Sequence, residues 1–455
     1  MKTYDDLMAC TSERERVDFI RSAISEHQSS DLYRTAKTAY LYYEQQNPTI
    51  MRLQKLLYDY MGRAVPDIYS ANNKIPSNFY FFMNTQLVQF LLGNGVSFAK
   101  DDTKERVGGV GFDIAVQELT ADAQNAGVSF GFWNADHVEV FKVYGGDEPS
   151  FVPLYDETTG MLRAGIRYWQ IAANKPLRVT LYEEDGITEY QKTEEQEDLT
   201  IYAPKRGYIQ TVERSEVGGE RVISDQNYPS FPIVPLYYIN KKSSIAGNRF
   251  TIDAYDLMAS KLVNNVSDAD IIYWVLKNCG DMDEVDDARF IEQLRKTHVA
   301  HPGDGEGDVD AHTVNVPFEA NEAALSMLRK QMFDDFMALD TKDIAGGAAT
   351  ATQIRAAYEP LNAKANRFEQ NVTKFVLGLL KLIGIEDAPT YTRSYIVNQM
   401  EMVQTITMAG NDLPQDYKTK KILEILGDID KFDEVYQSLI SQDAGRFPLE
   451  EEGNE

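Results

Sequence analysis

The sequence has little cysteine and no long apolar run. Only Cys10 and Cys279 are cysteines among 455 residues, so we expect no disulfide framework and a reducing compartment. The longest apolar stretch near the end, residues 375–385, is interrupted by Lys381 and is shorter than the roughly 20 residues of a membrane span. The first residues, with Asp5 and Asp6, contain no apolar block, so we expect no signal peptide. The composition predicts a soluble protein without a membrane partner.

The chain also has few basic residues for its length. Acidic residues outnumber basic ones by 71 to 45, which gives a net charge of −26. This charge argues against a protein that grips nucleic acid by neutralising phosphates. An acidic wall would instead let a duplex pass without adhering, so composition leaves both a DNA conduit and a bystander open. Hydrophobic residues at 43% and aromatic residues at 11% allow a sizeable core, and the length suits roughly three domains.

Catalytic motifs are almost absent. Gly127, Ser129 and Gly131 match the G-x-S-x-G pattern of a hydrolase nucleophile elbow, in which a strand-to-helix turn exposes the serine. The residues that follow predict a strand instead, and His137 does not fit the chain order of that class. No G-x-x-x-x-G-K-[ST] phosphate loop occurs in the sequence. We therefore expect no enzyme and no cofactor, with a serine hydrolase using Ser129 as an alternative.

A histidine- and acid-rich segment raises the question of a metal site. His298, His301 and His312 surround several carboxylates, which are residue types that bind metals. An EF-hand would need glycine and glutamate where the sequence has Val309 and Asn315. We interpret residues 304–312 as a solvated acidic loop and expect no metal.

Helical periodicity dominates the first seventy residues. The Asn47-Pro48 and Val65-Pro66 steps divide this region into helices. A buried helix is predicted over residues 76–92, because proline opens it, a dense apolar surface follows, and Gly93 supplies a C-cap.

Alternating apolar residues predict a β-rich region between about 127 and 240. Asp185-Gly186 and Gly218-Gly219 lie between runs that resemble strands, which is the short-range signal of a hairpin. The prolines in residues 231–238 fit an edge strand better than a central one.

Two helices are then predicted to enclose an acidic insertion. The first covers residues 252–277, with an apolar side of Tyr255, Met258, Leu262, Val266, Ile272 and Leu276. The second covers residues 321–340, with Leu325, Leu328, Met332 and Phe336. The insertion, residues 279–320, has eleven acidic and three basic residues and a net charge of −8. This order indicates a helix hairpin that projects a compact module.

A run of small residues follows the second helix. It consists of Thr341, Lys342, Asp343, Ile344, Ala345, Gly346, Gly347, Ala348, Ala349 and Thr350. Adjacent glycines let the backbone approach a partner closely and change its dihedral angles. The next helix, residues 351–385, would reach roughly 50 Å, with a kink at Pro360. Alone, the pattern also fits two core helices joined by a flexible loop.

The order of these elements resembles the portal proteins of tailed double-stranded-DNA bacteriophages, siphophage type. Three stretches of the sequence carry the resemblance: residues 227–240 leading into 252–258, residues 345–362, and residues 395–401. The resemblance implies an α+β, mainly helical subunit that joins a ring, usually of twelve copies, at one vertex of the capsid. The genome would be packed and later ejected through that ring, and the protein would be a virion component assembled in the host cytoplasm.

The resemblance also implies a division of the chain into named parts. These would be a wing (1–250), a first stem helix (251–278), a clip (279–320), a second stem helix (321–340), a tunnel loop (341–350), a long kinked wing helix (351–389) and a crown with an acidic tail (390–455). The tunnel loop would line the DNA channel. The clip would bind partners through Asp281, Asp283, Glu284, Asp286, Asp287, Arg289, Arg295 and Lys296.

The partners that the resemblance implies are other copies of the chain, double-stranded DNA held without sequence preference, and proteins of the capsid and its packaging machinery. Those proteins would be the terminase, the scaffold, the major capsid protein and a head-completion or adaptor protein. A monomeric capsid-associated adaptor is the second alternative, and native mass would separate it from a ring.

Overall fold

A computed structural model describes residues 2–58, 61–67, 70–100, 102–214, 220–269, 273–277, 308–312, 318–344, 351–394, 403, 406–408, 413–426 and 431–444. The chain forms two units, the first of Met1–Ala338 with Lys364–Thr392 and the second of Leu339–Ala363 with Arg393–Glu455. Helices and strands are both abundant, so the predicted α+β class is confirmed. Of the helices in the described ranges, none combines the length and the apolar composition that a bilayer crossing requires.

Short polar residues start the four N-terminal helices, α1 (Tyr4–Met8), α2 (Glu13–Ser29), α3 (Asp31–Tyr43) and α4 (Pro48–Met51). Thr3 and Ser12 form capping boxes, in which the cap hydroxyl accepts from the third amide of the helix and the third carboxylate accepts from the cap amide. Ser30 and Asn47 accept amide hydrogen bonds at the starts of α3 and α4. The predicted helices and the Asn47-Pro48 boundary are thus confirmed up to residue 51.

The prediction of helices up to residue 70 is wrong after α4. Strand β1 (Leu56–Tyr58) pairs antiparallel with β2 (Ala64–Pro66), so the Val65-Pro66 step lies in a strand. Gly62 in the intervening turn has a φ of +76°, which glycine adopts without steric cost. A short hairpin closed by glycine therefore replaces the predicted helix.

The buried helix α5 (Phe79–Leu92) starts three residues later than predicted and ends at Gly93 as expected. Strand β3 (Val96–Phe98), the short helix α6 (Thr103–Arg106) and α7 (Val110–Ala126) follow. Gly127 caps the C-terminus of α7 in the left-handed conformation, with a φ of +87°. Glycine tolerates this conformation because it has no Cβ.

The predicted β-rich region is confirmed. One sheet contains β4 (Val128–Asn134), β5 (His137–Phe141) and β13 (Ile233–Tyr237), in the order β13-β4-β5, so the strand with prolines is an edge strand as predicted. The second sheet is an antiparallel meander of β6 (Ser150–Tyr155), β7 (Leu162–Trp169), β8 (Leu177–Glu183), β9 (Gly186–Lys192) and β10 (Thr200–Arg206). Strands β11 (Ile209–Arg214) and β12 (Glu220–Gln226) pair with each other. Both predicted hairpins are therefore present.

Apolar side chains fill the spaces between these layers. Helix α2 packs Val17, Ile20 and Ala23 into a buried cluster with residues of the five-stranded sheet, among them Ile166 and Leu181. A second cluster is aromatic and joins the two sheets through residues Phe130, Phe132, Phe141, Phe151 and Tyr182. These clusters form the core of the β-rich part.

The predicted first stem helix is shorter than expected. Helix α8 covers Arg249–Ala269, and strand β14 (Tyr273–Lys277) replaces the rest of the predicted helix. Strand β15 (Asp308–His312) pairs with β14, so part of the predicted acidic loop 304–312 is a strand. The cause is composition, because Tyr273, Trp274 and Val275 favour a strand once a partner is available. Ile272 lies outside the described residues and Leu276 lies in the strand.

The remaining elements are helical apart from one strand. Helix α9 covers Phe318–Phe336, and α10 covers Thr341–Ile344. Helix α11 runs over Ala351–Leu382 through Pro360, whose kink stays a prediction. Strand β16 (Pro389–Tyr391) pairs with β3, so the boundary that the prediction put at residue 389 falls inside a strand of the first unit. In the second unit, α12 (Gln415–Leu426) contacts α13 (Phe432–Ala444).

Candidate functional site

Helices α8 and α9 form a pair at the place where the stem helices were predicted. Thr251 Oγ1 donates to Asp335 Oδ2 at 3.2 Å near one end of the pair. At this end Ile252 of α8 is buried together with Met332 and Phe336 of α9. Towards the other end strands β14 and β15 set Lys277 opposite Asp308. Strand β15 therefore lies inside the predicted clip, residues 279–320, and its pairing places Lys277, just before the clip, next to Asp308 within it.

The buried side of α8 is not the predicted one. Of its predicted apolar residues, Val266 is exposed and Tyr255, Met258 and Leu262 are only partly buried. The fully buried positions beyond Ile252 are polar: Asp256, Ser260 and Asn264. On α9, Met332 and Phe336 are buried as predicted, whereas Leu325 and Leu328 are partly exposed. Tyr255 packs against Phe79, so the apolar side of the pair is left partly exposed at Met258, Leu262 and Val266.

Asp256, Ser260 and Asn264 repeat every four residues and share one face of α8. They bond the backbone of the extended residues 73–77, and we call this arrangement the polar ladder. The amide of Ser77 donates to Asp256 Oδ1 at 3.0 Å, and the amide of Ile75 donates to Ser260 Oγ at 3.0 Å. Asn264 accepts from the amide of Asn73 at 2.7 Å and donates to its carbonyl at 3.2 Å. Successive turns of α8 thereby hold an extended segment that is 179 to 191 residues away in sequence.

Asp256 is the most buried member of the polar ladder. Asn47 Nδ2 donates to its second oxygen, Oδ2, at 2.7 Å. Burial raises the pKa of Asp256, and the hydrogen bonds from Ser77 and Asn47 oppose this shift. One turn earlier Asp253 accepts from the Tyr42 hydroxyl and from Thr49 Oγ1, the latter at 3.1 Å. Carboxylates of α8 therefore fix α3, α4 and residues 73–77 to the pair.

The C-terminus of α9 is closed by a Schellman motif. The amide of Met337 donates to the Asp334 carbonyl at 3.0 Å, and the amide of Ala338 donates to the Phe333 carbonyl at 2.9 Å. Met337 occupies the left-handed position, with a φ of +50°. Glycine usually fills this position, because a Cβ there is sterically unfavourable.

A buried lysine adds a further bond at the same helix end. Lys364 of α11 donates from Nζ to the Phe336 carbonyl at 2.6 Å, and its residue is only 7% exposed. Burial lowers the pKa of Lys364 to about 8. The partial negative charge of a helix C-terminus favours an ammonium group at this place. Lys364 therefore ties α11 to the end of α9.

The predicted tunnel loop is partly helical. Thr341–Ile344 form α10, at whose start the amide of Lys342 donates to Asp340 Oδ1 at 3.0 Å. The prediction of a loop from residue 341 is therefore wrong for its first four residues, because Asp340 caps a helical turn. Ala345, Gly346, Gly347, Ala348, Ala349 and Thr350 lie outside the described residues. The same holds for the clip residues Asp281, Asp283, Glu284, Asp286, Asp287, Arg289, Arg295 and Lys296.

The G-x-S-x-G motif is structural, and its interpretation as a nucleophile elbow is wrong. Ser129 lies inside strand β4, fully buried, and its Oγ donates to the Leu119 carbonyl at 2.7 Å. Gly127 is the C-cap of α7 described above. Gly131 lies against α11, since a Cβ at this position would be 2.5 Å from Phe375 Cζ. Helix packing thus accounts for the serine and both glycines.

No group of three or more His, Cys, Asp or Glu within the described ranges is placed to hold a metal ion. His298 and His301 lie outside those ranges, while His312 of β15 pairs with Tyr273 of β14.

Sequence reasoning missed the polar ladder, Met337 and Lys364. Of these, the polar ladder had a detectable signal, because three polar residues at four-residue spacing indicate a second, polar face on α8.

Several known proteins are similar to this chain. A family model described as phage portal protein, SPP1 Gp6-like, matches residues 23–444. The portal protein of Bacillus phage SPP1 is 23% identical over 475 aligned positions, covering 95% of this chain and 90% of that protein. The portal protein of Clostridium phage phiCD119 is 23% identical over 374 positions, covering 76% and 80%. A chain from a structure entitled neck of native GTA particle computed with C12 symmetry is 12% identical, with a TM-score of 0.40 and coverage of 76% and 90%.

Proposed function

The chain belongs to the SPP1 Gp6-like family of phage portal proteins, and from this premise we propose that it forms a closed ring of identical subunits, twelve in number. Double-stranded DNA would pass through the central channel during packaging and ejection. The ring would be part of the virion and would assemble in the host cytoplasm. The family is structural rather than enzymatic, and we expect this chain to catalyse no reaction.

The observation that carries the ring proposal is the open apolar side of the helix pair. Met258 and Leu262 are partly exposed and Val266 is exposed, whereas Tyr255 of the same stripe packs against Phe79. Exposed apolar stripes on a helix indicate a protein partner. In a ring, neighbouring subunits would cover these apolar residues, since each subunit presents one side of its helix pair to one neighbour and the other side to the next.

Charge supports the conduit rather than a tight DNA binder. The net charge of −26 repels phosphates. In the tunnel loop, residues 341–350, Lys342 is the only base and Asp343 offsets it. Contacts of this kind position a duplex without reading its bases. We therefore propose that the loop touches DNA weakly in the narrowest part of the channel.

We propose that the clip, residues 279–320, binds the terminase first and a head-completion or adaptor protein later. Its net charge of −8 would steer basic partners. The scaffold and the major capsid protein would contact the wing. The β14–β15 pair supports the clip assignment, because it brings Lys277 and Asp308 together at the base of the insertion.

The first experiment measures native mass and records electron micrographs of the purified protein. A homogeneous ring built from subunits of 51.5 kDa is expected. Compact monomers alone would contradict the ring and favour the monomeric adaptor. The variants Met258→Lys with Leu262→Lys should remain folded but lose the ring, because two charges would stand in the subunit contact. Lys261→Glu, on the exposed side of α8, is the matched control.

Two further variants test the clip and the tunnel loop. Replacing residues 281–304 by a short glycine-serine linker leaves β14 and β15 intact, so the ring should form while terminase binding is lost. Unchanged terminase binding would contradict the clip assignment. Gly346→Val with Gly347→Val should leave the ring intact but shorten the packaged genome, because valine restricts the backbone states of the loop. Packaging of full-length DNA at the normal rate would show that the loop is not a mobile channel element.

A further inference from the structure

The segment of residues 51–66, which we call the hairpin, exposes an unusual amount of apolar surface. Tyr58 is 75% exposed, Met61 61% and Leu56 53%. Met51, Leu53 and Val65 are also exposed. The hairpin contains a sheet of only two strands, β1 and β2, and two-stranded hairpins are marginally stable in water unless something covers them. These features indicate a surface that a partner covers.

The base of the hairpin is firmly attached to the first unit. On the entry side, Ile50 is buried and Asn47 bonds both the amide of Thr49 and the buried Asp256. On the exit side, the polar ladder fixes residues 73–77 to α8. The Asp67 amide also donates to the Lys55 carbonyl at 2.9 Å, which continues the strand pairing. The apolar side chains are thus presented from a rigid base, as binding surfaces require.

The charge of the hairpin is opposite to that of the chain. Residues 51–66 include Arg52, Lys55 and Arg63 but only one acid, Asp59, for a net charge of +2. The whole chain has −26, so the remainder has −28. A basic and apolar surface on a strongly acidic protein is complementary to the surface of another copy.

We propose that the hairpin of one subunit docks on the acidic surface of the neighbouring subunit and helps to close the ring. This inference rests on the proposed ring and adds a contact distinct from the helix pair. DNA is the less suitable occupant, because phosphates offer no partner for Leu56, Tyr58 and Met61, and the acidic remainder of the chain repels a duplex. The occupant of the hairpin surface is therefore a protein. Within the ring, the most abundant acidic surface is that of another copy of the same chain.

The first test substitutes two hairpin residues and compares them with a matched pair elsewhere. Leu56→Glu with Met61→Glu should lower the fraction of protein in rings at least tenfold, measured by native mass spectrometry. Met161→Glu with Ile171→Glu changes two apolar residues that are at least as exposed, in turns of the five-stranded sheet, and should leave the rings intact. Circular dichroism and thermal melting should be unchanged in both variants, which shows that the subunits remain folded. If the wild type forms rings and L56E/M61E forms them equally well, the inference about the hairpin is overturned while the proposed ring stands.

The second test identifies what the hairpin touches. A benzophenone amino acid replaces Tyr58, and rings are assembled from equal amounts of ¹⁴N- and ¹⁵N-labelled subunits. Mixed-isotope crosslinks to acidic peptides of another copy are expected. Crosslinks only within one copy, or only to added duplex DNA, would overturn the inference while leaving the ring in place. A wild-type chain that stays monomeric would instead refute the proposed ring, and the inference with it.

Discussion

The β-rich body and the helix pair bury opposite kinds of side chain. In the body, apolar groups such as Phe130, Phe141 and Phe151 lie between the sheets, and their core is complete within one chain. On α8 the polar ladder is buried, while the apolar residues Met258, Leu262 and Val266 are partly or fully exposed. This difference suits a subunit of an assembly, because directional hydrogen bonds fix the orientation of the pair and leave its apolar surface for neighbours. The comparison predicts that changes in the body affect stability alone, whereas changes in the pair also alter presentation and assembly.

The largest loss of stability is expected where the long helix meets the body. Phe375 is 1% exposed and lies against Gly131 of β4. Phe375→Ala should lower the free energy of unfolding of the first unit by about 3–5 kcal/mol, because it leaves a cavity. Leu377→Ala on the exposed side of the same helix should change it by less than about 0.5 kcal/mol. Thermal and urea unfolding measure the stability of both variants. If Phe375→Ala costs as little stability as Leu377→Ala, the described packing of Phe375 is contradicted.

Enlarging Gly131 instead of truncating Phe375 gives a second check of the contact between these two residues. Gly131→Ala would place a Cβ 2.5 Å from Phe375 Cζ, and overpacking of this kind costs about 1–3 kcal/mol. Adding Phe375→Leu should cost less than the sum of the two single changes, since the smaller side chain makes room for the Cβ. Strict additivity would mean that the two residues do not touch.

The body was the part that sequence reasoning could predict. Its strands alternate, and the turn at Asp185-Gly186 is local, so short windows contain the whole signal. The end of α8 was missed because helical spacing continues through Ile272 and Leu276, while the strand depends on pairing with residues 308–312. The polar ladder was missed for a related reason. Its partners on residues 73–77 are set by tertiary structure, and no local pattern connects them with Asp256.

The polar ladder provides a further prediction. Asp256→Ala would leave Asn47 Nδ2 and the Ser77 amide without an acceptor, at a cost of about 3 kcal/mol in total. Because the ladder holds the exit side of the hairpin, trypsin should also cleave faster after Arg63 and Lys74. Asp256→Asn keeps an acceptor oxygen for only one of these two donors, so its loss of stability should be smaller than that of Asp256→Ala but not negligible. Both the cleavage rates and urea unfolding are measured. If D256A matches the wild type in both, the polar ladder does not hold residues 73–77 as described.

Lys364 makes the stability of the pair depend on pH. Its pKa is about 8 in the folded chain against 10.5 for the free side chain. Between these values the unfolded chain holds a proton that the folded chain has lost, so stability rises with pH. Relative to Lys364→Met, the wild type should gain up to about 3 kcal/mol from pH 8 to 10.5 and show a constant difference below pH 8. A constant difference over the whole range would mean that the ammonium is not desolvated at Phe336.

Two helix ends offer the finest comparison between the regions. In the body α7 ends on Gly127, whereas in the pair α9 ends on Met337, and both residues have positive φ. Methionine in the left-handed region costs about 1–2 kcal/mol, and glycine adds about 0.5–1 kcal/mol of entropy to the unfolded chain, so Met337→Gly should stabilise by up to about 1 kcal/mol. Met337→Ala keeps the Cβ and should give no gain, which separates backbone strain from loss of the partly exposed side chain. If urea unfolding shows that M337G is no more stable than M337A, the α9 terminus holds no backbone strain. The two helix ends would then differ in sequence but not in energy.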